Sequence, residues 1–368
     1  MGHLRELFAA PLVGDGLRGD TLLPSDRRRD GTAAAEDGPA RFDWDPDKHP
    51  RDEGGRWASA GRSERDDPAA PAPPVAPSPT GHAPGAFPAV ASYTRGRALT
   101  ARVAALPHAT EAAVAKVAAA KAAFKRWPQE NPDGVEYGPE HSALYRAVEA
   151  AEREESDARD RDRKAFLAAH GPVQQTAWRP DTSGCKPHGF NKAFFLGALR
   201  FVEKLVPESA GADPAVIVRD GRGPSYTPAA TPEDVGFISA PSRTHPTAFA
   251  HEIGHHLERT IPGAERLCNE FLAHRVGDER PTDLCELGLT QVEGAMGYRD
   301  DFGRVFGEKR AYYVGRKYAH GGTEVLSMGL EALHDDPVGF AKRDPEYCAF
   351  VLGVLSGDLL NKGASHAG

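Results

Sequence analysis

The residues best suited to chemistry are His251, Glu252 and His255, which form a His-Glu-x-x-His motif. On an α-helix, positions i and i+4 lie one turn apart on the same face, so both imidazoles can reach one metal ion at about 2.0–2.1 Å. Glu252 then projects beside the ion, where its carboxylate can act as a general base on a water that the metal activates. The motif therefore predicts a Zn²⁺ site with His251 and His255 as ligands and Glu252 as the catalytic base.

The residues around the motif predict the helix that this chemistry needs. Pro246 suits the first helical turn, and Phe249, Ile253 and Leu257 repeat at every fourth position. The pair Pro262-Gly263 is a stop signal. We therefore expect an amphipathic helix that buries its apolar face and presents the two histidines on one side.

A catalytic zinc needs a third protein ligand and an open coordination position. Several acids follow the motif within about 35 residues, and Glu270 is the best placed of them because apolar residues surround it on a predicted helix. The others are Glu265, Glu279 and Glu286. A later candidate is Glu324, which follows a helix start at Gly321-Gly322-Thr323 with Thr323 as N-cap, and Glu331 lies two turns further on the same face.

Three segments together resemble a known family. The string HEIGHH (251–256), the Tyr-rich stretch 311–318 and TEVLSMGLE (323–331) are similar to the gluzincin peptidases of the anthrax lethal factor type, and to zincin-like proteins encoded in phages and prophages. The resemblance covers residues 240–357, about a third of the chain. It implies that Glu324 is the third metal ligand. If it is not, Glu270 and Glu331 are the runners-up. The resemblance also implies that Tyr318, ahead of Tyr312 or Tyr313, assists the transition state.

The expected reaction is hydrolysis of peptide bonds. A peptide would bind extended along an edge strand near Gly236 to Ala240. Glu252 would move the proton, and Tyr318 or His320 would donate to the oxyanion. One departure from the family pattern is Met328, which occupies the position of the family's second glutamate, so the next acid is Glu331.

The chain divides into three expected regions. Residues 1–95 are rich in Pro, Gly and charge, with eight prolines between positions 68 and 88, and should be disordered. Residues 96–171 should form a helical hairpin, with helices from Arg95 to Trp127 and from Pro139 to His170. Residues 172–368 should form a mainly helical α+β zincin-like domain. Its expected strands are Ala215 to Arg219, Tyr226 to Pro228 and Gly236 to Ala240.

Composition limits the remaining options. A formal charge of -8 argues against a nucleic-acid binder, and no apolar run approaches the roughly 20 residues that span a membrane. The four cysteines include no Cys-x-x-Cys pair, as expected of reduced thiols in a cytoplasmic protein.

The string HPRDEGGRW (49–57) resembles a tag in the tails and linkers of phage structural proteins. Expected partners are therefore a protein or peptide substrate and phage structural proteins, and the location is cytoplasmic or virion-associated. The alternative function is a head-associated structural protein with an inactive zincin fold.

Overall fold

A computed structural model describes residues 86–131, 138–174, 177–185, 192–221, 224–227, 236–241, 244–289, 295–299, 302–318 and 321–360. The string HPRDEGGRW and most of the expected disordered region, residues 1–85, lie outside them. The expected boundary at residue 95 is wrong for the residues just before it. Phe87, Val90 and Tyr93 are buried in the core and most of this segment is helical, because three large apolar side chains lie at the end of the Pro-rich run and just after it.

The described part of the chain is mainly helical, with two small sheets. This composition agrees with the expected α+β class. The helices are α1 (Pro88–Ala91), α2 (Thr94–Ala104), α3 (Ala109–Glu130), α4 (Pro139–His170), α5 (Lys192–Glu203), α6 (Pro246–Thr260), α7 (Ala264–Val276), α8 (Gly303–Phe306), α9 (Glu308–Val314), α10 (Val325–Asp335), α11 (Pro337–Arg343) and α12 (Pro345–Leu355). The strands are β1 (Arg179–Gly184), β2 (Ala215–Asp220), β3 (Ser225–Thr227), β4 (Phe237–Ala240), β5 (Thr282–Asp283) and β6 (Met296–Gly297).

The larger sheet has the strand order β1-β2-β4-β3. The first three are parallel, and β3 runs antiparallel to β4 with Tyr226 opposite Ile238. Sequence patterning locates β2, β3 and β4 but misses β1, because its residues RPDTSG show no apolar alternation. The expectation of an edge strand at Gly236 to Ala240 is wrong, because β3 pairs with β4. Among the described strands, β3 is the edge on that side.

The expected helix from Arg95 to Trp127 is two helices. The chain turns between α2 and α3 at residues 105–108, where Pro107 disfavours a helical residue before it. Helices α3 and α4 run antiparallel, since Lys116 pairs with Glu154 and Lys121 pairs with Glu152. Helix α2 instead packs against α11 and α12 in the core, so the hairpin proper begins at α3.

Two helices at the centre of the core carry the candidate site. α6 and α10 pack closely along their lengths, and α12 lies against α10 from the other side. α12 is buried around nearly its whole circumference, which explains its run of apolar residues from Tyr347 to Leu355. Within the described ranges, no helix is both long and apolar enough to cross a membrane.

Candidate metal centre

The His-Glu-x-x-His motif lies on α6, which begins at Pro246 as predicted. The side chain of His245 caps the helix by accepting a hydrogen bond from the backbone N–H of Thr247 at 3.3 Å. The apolar repeat of Phe249, Ile253 and Leu257 is fully buried. This packing holds the opposite face against α10 and brings the rings of His251 and His255 to a centroid separation of 4.9 Å.

Glu324 meets both histidines. Its Oε2 lies 3.3 Å from Nε2 of His251 and 3.2 Å from Nε2 of His255. Ligand atoms around a tetrahedral ion lie about 1.6 metal–ligand distances apart, which is about 3.3–3.4 Å for bonds of about 2.0–2.1 Å. Each of the two separations therefore matches the spacing of two ligands of one metal ion.

Glu252 adjoins the same centre and is buried. His251, Glu252 and His255 each present a ligand atom within 4.8 Å of the other two, so this buried group could hold a metal ion. The structure thus brings two carboxylates, those of Glu252 and Glu324, to the two imidazoles.

The charges of the centre are strongly coupled. Burial opposes a positive charge on His251, but Glu324 and Glu331 outweigh it and raise the pKa of this imidazole to about 10. Burial also opposes the charge on Glu324, but His255 and His251 hold the pKa of its carboxyl well below the usual range. A bound cation would replace the His251 proton, because a metal-ligating imidazole is neutral.

The carboxylate of Glu331 contacts the second ring nitrogen of His251. Nδ1 of His251 donates to Oε2 of Glu331 at 3.1 Å, and Arg310 Nη2 donates to the other oxygen of Glu331 at 2.7 Å. Such a contact selects the imidazole tautomer that leaves Nε2 free to bind a metal. Glu331, a runner-up as third ligand, therefore contacts the nitrogen that faces away from Glu324.

Two phenols and a guanidinium line the other side of Glu324. Tyr318 donates from its hydroxyl to Glu324 Oε1 at 2.5 Å, and its ring centroid lies 6.1 Å from that of His255. Burial, followed by the charge of Glu324, raises the pKa of Tyr318 well above the usual range, and burial also raises the pKa of Tyr313. Both phenols therefore keep their protons near neutral pH. The guanidinium of Arg316 stacks on the Tyr318 ring, with Cζ 4.5 Å from the centroid.

Glu258 and Ser327 hold Glu324 in place. Glu258 is one turn beyond the motif on α6, and its Oε1 accepts from both the backbone N–H and the hydroxyl of Thr323, at 2.7 and 2.9 Å. Ser327 donates its hydroxyl to Glu324 Oε2 at 2.8 Å. The helix start differs slightly from the prediction: Glu324 is the N-cap residue, while Thr323 accepts from the N–H of Val325 at 3.1 Å.

Gly254, inside the motif, permits the close approach of α6 and α10. A Cβ at this position would lie 2.5 Å from Cα of Ser327 and 3.2 Å from the backbone oxygen of Leu326. Only glycine leaves room for the α10 backbone, which carries Glu324 at its start. A glycine between the two histidines was the available sequence signal for this contact.

Tyr226 is a site residue that sequence reasoning placed only in a strand. Its ring on β3 stacks on His255, with centroids 6.5 Å apart and planes 12° apart, and meets His256 edge-on at 5.9 Å. Burial raises the pKa of its phenol to about 12. The edge strand β3 thus reaches the metal centre through this side chain.

Other candidates lie elsewhere. Glu270 pairs with Arg266 at 2.6 Å on the exposed face of α7 and does not join the centre. Within the described ranges, the side chain of Tyr312 makes no hydrogen bond or ring contact with the centre. His320 lies outside the described residues.

Comparison of the chain with protein-family models, curated proteins and solved structures finds no match. The functional interpretation therefore depends on the motif residues and on the geometry described above.

Proposed function

We propose that the chain is a zinc-dependent peptidase with a zincin-like centre. His251, His255 and Glu324 would hold the ion, and Glu252 would act as the base. The observation that carries the proposal is the position of one Glu324 oxygen, 3.3 and 3.2 Å from the two imidazole nitrogens. Two imidazoles and one carboxylate form a ligand set that catalytic zinc uses, and three protein ligands leave a coordination position for substrate.

When bound, zinc acts as a Lewis acid that polarises the scissile carbonyl and acidifies water. Glu252 takes the proton of the attacking water and passes it to the leaving amine. Its position next to His251 in the sequence sets its carboxylate beside the ligand atoms. Its burial excludes bulk water from this proton transfer.

The phenol of Tyr318 is assigned as a hydrogen-bond donor to the developing oxyanion. Its raised pKa keeps it protonated at neutral pH, and its single proton would turn from Glu324 to the oxyanion. Its hydroxyl bonds to Glu324, which places it at the ligand set. Tyr313 is the second choice, because it also lies in the field of Glu324.

The substrate is a protein or peptide that extends β3. This strand is the sheet edge on the side of β4, and Tyr226 connects it to His255. A peptide strand added to such an edge gains main-chain hydrogen bonds that do not depend on side-chain identity. The scissile bond would then pass across the ligand set.

The test of the reaction measures zinc content and cleavage of a peptide library by the wild type, by Glu252→Gln and by Glu270→Gln as a matched control. We expect Glu252→Gln to keep its zinc and lose cleavage, because the amide cannot accept the proton. Glu270→Gln should retain both, since Glu270 lies on an exposed helix face. A wild type that binds zinc but cleaves no peptide would support the alternative of an inactive, structural zincin fold.

The ligand assignment needs a separate measurement. Zinc affinity should fall by more than a hundredfold in Glu324→Ala and stay unchanged in Glu270→Ala. If Glu324→Ala binds zinc as tightly as the wild type, the proposed ligand set is wrong.

A further inference from the structure

Arg316 is a half-buried cation beside the metal centre. It follows α9, and its guanidinium stacks on Tyr318 and lies 5.8 Å from the ring centroid of Tyr313. The Tyr318 hydroxyl in turn donates to Glu324. The positive charge is thus held one aromatic ring away from the ligand set.

No carboxylate lies within ion-pair distance of this guanidinium in the part of the chain that the structure describes. Other shielded arginines do have such partners there. Arg310 bonds to Glu331 at 2.7 Å and Arg275 bonds to Asp344 at 3.0 Å. A guanidinium carries five N–H donors; the hydrogen bond of Arg316 to Tyr313 uses one of them, and aromatic faces satisfy few of the others. The charge of Glu324 acts on Arg316 without a direct ion pair, so the remaining N–H donors are available to a carboxylate of the substrate.

The guanidinium is within reach of a substrate at the metal. The ring centroids of His255 and Tyr318 are 6.1 Å apart, and Arg316 Cζ lies 4.5 Å from the Tyr318 centroid. Arg316 Cζ therefore lies at most about 11 Å from the His255 ring, a span that an extended peptide covers in about three residues.

We propose that Arg316 binds a carboxylate of the substrate, so that the centre selects peptides with a carboxylate within about two residues of the scissile bond. This inference rests on the proposed peptidase function and names its substrate class. The carboxylate can belong to an acidic side chain or to the carboxyl terminus of a peptide. The planar fork of a guanidinium matches either one with two parallel N–H···O bonds.

The stacked ring contributes to this selectivity. Tyr318 holds the guanidinium plane by cation–π contact, which limits the conformational freedom that carboxylate binding would otherwise remove. Lys317, the next residue, is exposed and offers a single mobile charge. It is therefore the matched control for Arg316.

The test uses short peptide hydroxamates, whose chelating group binds an open zinc position whether or not cleavage occurs. One pair ends two residues from the hydroxamate in a carboxylate or a carboxamide. A second pair has amidated ends and carries Asp or Asn at the same distance. Dissociation constants are measured for the zinc-loaded wild type, Arg316→Gln, Arg316→Lys and Lys317→Gln, after zinc content and circular dichroism have shown that each variant is folded.

We expect the wild type to bind one or both carboxylate ligands at least about tenfold more tightly than the neutral ones. Arg316→Gln should lose this preference, Arg316→Lys should retain part of it, and Lys317→Gln should retain all of it. The pair that shows the preference identifies the source of the carboxylate.

Equal binding within both pairs, or a preference that survives Arg316→Gln, overturns the inference but leaves the peptidase proposal intact. Failure of every hydroxamate to bind the wild type overturns the open zinc position, and both proposals with it.

Discussion

Replacing Gly254 with alanine tests whether the packing of α6 on α10 sets the metal centre. The new Cβ would lie 2.5 Å from Cα of Ser327, whereas carbon atoms in contact are normally about 3.5–4.0 Å apart. The α10 backbone must therefore retreat by about 1 Å near Ser327. Glu324 begins this helix and bonds to Ser327, so its oxygen would move with it.

The expected magnitude follows from the tolerance of metal bonds. Ligand distances vary by only about 0.2 Å in a well-formed site, so a shift of about 1 Å removes Glu324 from productive coordination. We expect zinc affinity to fall by at least tenfold and nearer a hundredfold. Overpacking costs about 1–3 kcal/mol, and the better helix propensity of alanine recovers about 1 kcal/mol. The zinc-free variant should therefore be only modestly less stable.

The assay is zinc competition against a chromophoric chelator, with urea unfolding of the zinc-free protein alongside. Gly197→Ala is the control, because Gly197 lies on the exposed face of α5 and a Cβ added there would meet no atom within 4 Å. It should raise stability by about 1 kcal/mol and leave zinc affinity unchanged. Unchanged zinc binding in Gly254→Ala would refute the claim that helix approach positions Glu324.

Three further predictions concern the surroundings of the centre. Glu331→Ala should weaken zinc binding by about ten- to a hundredfold in the same chelator competition, because it removes the acceptor of His251 Nδ1; an affinity equal to that of wild type contradicts the supporting role. Glu258→Leu should weaken zinc binding similarly, while Glu258→Gln, which keeps an acceptor for Thr323, should lose less; the reverse order would contradict the structural reason. Burial lowers the pKa of His334 to about 3, below its unfolded value of about 6.5, so its contribution to stability is present above pH 6.5 and is lost as the pH falls. Urea unfolding at pH 7 and pH 5 should show the wild type losing about 2 kcal/mol more than His334→Gln, and equal losses would show that His334 is not responsible.

Local patterns in the chain predict helix α6 and the proximity of its two histidines well. The apolar repeat, the proline at the helix start and the i, i+4 histidines all act within one helix, so neighbouring residues are sufficient to specify them. Strands β2, β3 and β4 are also indicated by short apolar runs between turn residues. β1 is not, because an exposed polar edge strand depends on its pairing with β2.

Sequence patterns predict the boundaries and neighbours of helices and strands less well. The alanine-rich segment after residue 95 reads as one helix, but the chain turns at Pro107 and sends α2 into the core. Likewise, the residues of β4 predict a strand but do not show that β3 pairs with it and takes the edge position. In both cases the pairing or packing of another element decides which side of a segment is covered.

The identity of the third ligand shows where sequence reasoning stops. Glu270 and Glu324 both follow the motif as helical acids, and spacing cannot choose between them. Helix α10 packs against Gly254, which brings Glu324 to the imidazoles, while Glu270 points to an exposed ion pair with Arg266. The sequence was enough to propose two histidines and a base on one helix, because those relations span a single turn. The carboxylate that we propose as the third ligand comes from about 70 residues further along the chain, so its proximity to the histidines depends on long-range packing of one helix on another.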